Sequence, residues 1–176
     1  MIHMDTKEKL QKGNEKYLKT LQNDENLRFL RDNLVKGQHP EIVVITCSDS
    51  RVIPEKIFSA DLGELFVIRT AGNVINEGEL ATVEYAIEHL KVSHIVVLGH
   101  THCGAVHAAI HNESRKYLDP IIKRIQKNII DMKDEIKASC LNAQKEVQFI
   151  KEKFPEYQGT IEAKLFDIET SKVMNI

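Results

Sequence analysis

At 176 residues the chain is long enough to bury a substantial core as one domain, and 42% hydrophobic with 28% charged residues is the composition of a globular protein, not a disordered one. A formal charge of −2 gives no support to nucleic acid or an anionic membrane as a partner. With no apolar stretch of transmembrane length, and a charged start (MIHMDTKEKLQKGNEKYLKTL) lacking the apolar run of a signal peptide, a cytoplasmic protein is expected.

Residues 5–35 are polar and charged with spaced apolar positions (Leu10, Tyr17, Leu18, Leu21, Leu27, Leu30). They predict one or two amphipathic helices, ended by the breakers Gly37 and Pro40. The β-branched run Ile42–Thr46 predicts a first strand, residues 54–59 a short helix or turn, and Leu65–Arg69 a second strand. TAGNVINEGE then reads as a loop. Leu80, Val83, Ile87 and Leu90 recur at spacings of three, four and three, a helix face within 79–90, and Ile95–Gly99 is another apolar strand. Leu118, Ile121, Ile122, Ile125, Ile129 and Ile136 carry the helical period through a largely helical 117–154, and 160–168 alternates as a last strand. No repeat or linker divides the chain, so a single domain over 1–176 is expected. The order of elements predicts an α/β fold: a mainly parallel central β-sheet flanked by helices, with an N-terminal helical extension. Such sheets bind ligands beyond the carboxyl ends of their strands.

Two chemically loaded stretches lie at such ends: CSDSR at 47–51 and GHTHCGA at 99–105. If the chain stays extended after the first strand, Cys47, Asp49 and Arg51 share one side. His100 and Cys103 are three apart, which on a helical turn places them on one face, with Gly99 and Gly104 allowing a tight backbone. The three cysteines (Cys47, Cys103, Cys140) make an odd count, which argues against a secreted disulfide framework and leaves thiols free for a metal or for catalysis.

Cys47, His100 and Cys103 together form a three-ligand zinc set of the type that keeps a fourth position open for water, whose pKa zinc lowers toward neutrality. Asp49, when ionised, only accepts hydrogen bonds, so it is placed to orient such a water, and Arg51 can grip the carboxylate with two donors. The competing reading makes Cys47 and Cys103 packed core residues. A structural zinc would need a fourth ligand from Asp49, His102 or Cys140. The helical pattern assigns Cys140 to core packing. Arg51 follows Cys47 too closely for a cysteine phosphatase loop, and no G-x-G-x-x-G follows the first strand for a dinucleotide.

CSDSR with GHTHCG resembles the β-class carbonic anhydrases. The resemblance extends through GELFVIRTAGN (63–73), EYAIEHLKVSHIVVLGHTHCGA (84–105) and DIETSKV (167–173). It implies one Zn2+ per chain held by Cys47, His100 and Cys103, an Asp49–Arg51 dyad, and reversible hydration of carbon dioxide to bicarbonate and a proton. It further implies that the Gln38 side chain and the Gly104 backbone N–H donate to bicarbonate. A homodimer or homotetramer is implied, with residues 1–36 as a helical arm on the partner subunit.

In a regulated subclass a tryptophan stands where this chain has Val44, so a site with Arg51 paired to Asp49 is expected, and Arg69 is assigned a structural or interface role. Thr70, Ala163 and Ser171 depart from the family's usual asparagine and glycines. His102 is a candidate proton shuttle. The alternatives are hydrolysis of carbonyl sulfide or carbon disulfide on the same scaffold, and a non-catalytic zinc- or bicarbonate-binding protein.

Overall fold

A computed structural model describes residues 6–113 and 115–176. The chain divides into two compact units, 1–38 and 39–176.

The N-terminal unit holds α1 (Thr6–Asn23) and α2 (Glu25–Leu34). Asp24 separates them: its carboxylate accepts the Leu27 N–H at 2.9 Å and caps α2. Leu10, Phe29 and Val35 of this unit are exposed, and α2 has no buried residue. No described helix is long and apolar enough to cross a membrane.

The second unit is built on five strands: β1 (Ile42–Cys47), β2 (Leu65–Thr70), β3 (His94–His100), β4 (Thr160–Asp167) and β5 (Lys172–Asn175). Their order is β2-β1-β3-β4-β5, parallel except for the β4–β5 pair. β1 and β3 are central and buried on both faces, which is why they read as unbroken β-branched runs. Side-chain alternation splits them between two cores. Val43, Ile45, Ile95 and Val97 pack against Val83, Ala86 and Ile87 of α4 (Glu77–Glu88) and Ala143, Val147 and Ile150 of α7 (Glu135–Lys153). Val44, Val96 and Leu98 face the other way, onto Val52, Phe166 and Ile57, the last residue of the short helix α3 (Pro54–Ile57).

Four sequence expectations change. The helical period hides a break. It divides 117–154 into α6 (Asp119–Ile129) and α7, where Asp134 caps the new helix by accepting the N–H groups of Ile136 and Lys137 at 3.0 Å each. Beyond that break Ile136 is exposed and Cys140 only half-buried, not a core residue. The fifth strand, β5, was not expected. It forms on pairing with β4, after a turn in which Ser171 takes the left-handed φ of 58° that favours glycine. The expected helix 79–90 begins at Glu77, because a capping box starts it: Asn76 and Glu79 exchange side-chain and backbone hydrogen bonds.

α6 and α7 are joined by an ion pair. Glu146 is fully buried and receives Arg124 Nε at 2.9 Å and Nη2 at 2.8 Å, while the Arg124 guanidinium lies over the Phe149 ring. Removing one partner of such a pair strands a buried charge. Arg124→Met should therefore destabilise the fold by about 3 kcal/mol, read from the urea midpoint. An unchanged midpoint would show that Glu146 finds another partner.

Candidate active site

Parallel pairing brings the carboxyl ends of β1 and β3 side by side, with Thr46 opposite Leu98. The Thr46 hydroxyl donates to Leu98 O at 2.8 Å and pins the two ends together. Cys47 is the last residue of β1 and His100 the last of β3, so both leave the sheet at one edge.

The chain does not stay extended after Cys47. Strand geometry ends there and a turn follows, closed by Val52 N–H donating to Asp49 O at 3.0 Å. Asp49 and Arg51 meet because of that turn, not because of alternation. The Arg51 N–H donates to Asp49 Oδ1 at 2.9 Å, so the carboxylate folds back on its own backbone. From that anchor the guanidinium completes a two-point grip, Nε to Oδ1 at 2.9 Å and Nη2 to Oδ2 at 2.7 Å. Arg51 holds the Asp49 carboxyl well below the usual carboxylate range. The same Nη2 donates to His102 O at 3.1 Å, tying the dyad to the second loop.

In that second loop no helical turn joins His100 to Cys103. A tight turn follows the strand and α5 (Gly104–Ile110) begins after Cys103. The left-handed position is His102, at φ 55°, and neither flanking glycine supplies it. Gly99 serves close packing instead: a Cβ there would lie 3.2 Å from Ser139 O of α7.

The two loops bring Cys47, His100 and Cys103 together, with one ligand atom from each within 4.8 Å of the others and all three residues buried. The sulfurs are 4.0 Å apart. His100 Nδ1 lies 2.8 Å from Thr101 O. A carbonyl only accepts, so Nδ1 carries the proton and Nε2 presents its lone pair. Among the described residues that buried Nε2 has no hydrogen-bond partner.

An unpartnered buried nitrogen facing two sulfurs is costly in a metal-free protein and is the donor set that zinc selects. The Cys103 thiol draws Cys47 down in pKa against the effect of burial, and the Gly72 N–H, 3.3 Å from the sulfur, helps. Cys103 is pushed up by Cys47 and by burial. One thiol of the pair is thus ready to ionise, and a cation would allow both to do so.

The residues considered as a fourth ligand are engaged or elsewhere. Arg51 holds the Asp49 carboxylate with two donors on Oδ1 and one on Oδ2, which leaves Oδ2 able to accept once more, exposed His102 faces Glu169 at 3.0 Å, and Cys140 is not in the group. Gly104 opens α5, with nothing within 4 Å of where a Cβ would stand. Gln38 is exposed and is the last residue of the N-terminal unit.

Arg69 braces the first loop from β2, Nε to Cys47 O at 3.2 Å and Nη2 to Asp49 O at 2.7 Å. The sequence reading gave Arg69 a structural or interface role without naming this contact and missed that of Gly72, since both involve backbone atoms. The only sequence signal was the glycine–asparagine pair Gly72–Asn73, a sign of unusual backbone geometry.

The carbonic anhydrase family profile matches residues 42–173. A carbonic anhydrase of Synechococcus elongatus is 53% identical over 85 residues, which are 45% of this chain and 31% of that protein. The chain spans about a third of the length of the curated relatives it matches first, 31 to 39%. Among solved structures, the β-carbonic anhydrase CafA of Aspergillus fumigatus superposes with a TM-score of 0.79 at 27% identity, over 95% of this chain and 88% of that one. A tetrameric β-carbonic anhydrase of Sordaria macrospora gives 0.78 at 28% identity over 98% of both chains.

Proposed function

Because this chain belongs to the β-class carbonic anhydrase family, we propose that it catalyses the reversible hydration of carbon dioxide to bicarbonate and a proton at a zinc site formed by Cys47, His100 and Cys103. The observation that carries the reading is the buried, unpartnered Nε2 of His100 in one group with two cysteine sulfurs, and with no fourth protein ligand among the described residues. Zinc bound there supplies a Lewis acid that makes hydroxide available near neutral pH.

The protein's own residues supply orientation. Asp49 is kept ionised, so it accepts a hydrogen bond from the attacking oxygen's proton and turns a lone pair toward carbon dioxide. Arg51 holds that carboxylate at two points and keeps it off the metal. Arg69 fixes the backbone on either side of Ser48, so ligand and orienting carboxylate keep their relative position. The Gln38 side chain and the Gly104 N–H are assigned to bicarbonate on the family resemblance. The solved tetrameric relative and the exposed apolar side chains Leu10, Phe29 and Val35 support a homo-oligomer with the N-terminal arm on the partner subunit.

Metal removal tests this reading. Protein stripped by a strong chelator should lose the exchange of labelled oxygen between bicarbonate and water, and one equivalent of zinc should restore it. Exchange that survives complete stripping would count against the metal site as the seat of the reaction.

A further inference from the structure

Behind Gly72 runs a line of buried polar side chains that the proposed chemistry does not use. Gly72 sits at φ 69°, its N–H 3.3 Å from Cys47 Sγ. Its carbonyl accepts Asn142 Nδ2 of α7 at 2.9 Å. Asn142 Oδ1 accepts Asn128 Nδ2 of α6 at 2.9 Å, and the same Nδ2 donates to Glu146 Oε1 at 2.9 Å. Glu146 is in turn held by Arg124. Asn142 and Glu146 are fully buried and Asn128 nearly so.

Apolar residues would join two helices at lower desolvation cost. What this chain of groups adds is direction. The Arg124-bound carboxylate orients the Asn128 amide, and Asn128 fixes which end of the Asn142 amide is oxygen. The Asn142 Nδ2 must then point at Gly72 O; flipped, it would set two carbonyl oxygens against each other. Packing closes the opposite side, since a Cβ on Gly72 would come within 2.7 Å of Ile125 Cδ1 and 3.1 Å of Ala105 Cβ. The left-handed residue is held at its carbonyl by a hydrogen bond and at its Cα by close packing, which together restrict its backbone angles and so the direction of the N–H laid against the sulfur.

We propose that Asn142, oriented by Asn128 and the Glu146–Arg124 pair, is a positioning residue for the metal centre: by holding the Gly72 carbonyl it fixes the backbone angles of Gly72, and with them the N–H on the other side of that Cα, which donates to Cys47 Sγ, and it thereby helps set the donor strength and metal affinity of that sulfur. The inference rests on the reading of Cys47 as a metal ligand. A group hydrogen-bonded directly to a ligand, as the Gly72 N–H is, is typically worth about 10–100-fold in metal affinity, and Asn142, one residue further back, acts on part of that.

The test titrates Co2+ into the metal-free full chain, with a chromophoric chelator as competitor, and records the thiolate-to-cobalt charge-transfer band. Asn142→Leu should bind cobalt several-fold more weakly, with about 10–100-fold as the ceiling set by loss of a direct ligand partner, and with the band moved to lower energy because the N–H donor to the sulfur is weakened. Ile150→Val, in the core cluster that contains neither cysteine, serves as a destabilised control and should keep affinity and band. If the leucine variant does not fold, Asn128→Leu frees the Asn142 amide while leaving that residue in place, and should change both readouts in the same direction by less. Wild-type affinity and band position in a folded variant of either kind would overturn the inference alone. Absence of any thiolate band in the wild-type chain would overturn the metal reading and the inference with it.

Discussion

Replacing Asp49 with alanine should lower carbon dioxide hydration on the order of 10²- to 10⁴-fold, the range for a positioned proton-handling group, while the protein still binds zinc. Asp49 lies two residues from the ligand Cys47, is held ionised by Arg51, and is partly open to solvent, with 17% of its side chain exposed. A group that only supported the loop would not need its charge, because Arg69 already braces that loop through the carbonyls of Cys47 and Asp49. Metal content measured on the same sample separates the roles. Lost turnover with zinc retained supports orientation by Asp49. Lost turnover with lost zinc would reassign it to building the site, and unchanged turnover would remove it from the mechanism. Arg51 is left without its partner in this variant, but its side chain is half exposed, so the fold should survive.

Cys47→Ser should abolish stable zinc binding. An outer partner of a ligand is typically worth 10–100-fold in affinity, so removal of the ligand itself should cost more than about 100-fold. Serine keeps the shape of the side chain, but its hydroxyl does not ionise as the thiol does and is a poor match for zinc beside a second sulfur. Cys140→Ser is the paired control: that thiol is half-buried on α7 and outside the ligand group, so its loss should leave affinity unchanged. Chelator competition gives both values. Tight zinc binding by Cys47→Ser would mean that another group completes the site.

The central sheet is legible in the sequence because β1 and β3 are buried on both faces, and double burial leaves an unbroken apolar run. β5 is not legible. Its four residues, Lys172–Asn175, are mostly exposed and become a strand only by pairing with β4. The break between α6 and α7 is hidden because Ile129 and Ile136 lie seven apart and keep the helical period across it.

At the site, residue types and spacing single out Cys47, His100 and Cys103, but they misplace the local backbone. Asp49 and Arg51 are adjacent through a turn, and the strained position of the second loop belongs to His102 and to neither glycine. Contacts made by backbone atoms leave no side-chain pattern. The Gly72 N–H on Cys47, the Thr101 carbonyl that sets the His100 tautomer, and the carbonyls that receive Arg69 all fall in that class. Asn142, seventy residues from Gly72, is further still from anything spacing can show.

The most direct measurement is the stopped-flow initial rate of carbon dioxide hydration, on protein carrying one zinc per chain, from neutral to alkaline pH. Asp49 is held by Arg51 and ionised well below neutrality, so the rate should exceed that of buffer already near neutral pH. No rate above buffer at any pH, with zinc in place, would contradict carbon dioxide as the substrate, and carbonyl sulfide would then be the gas to test.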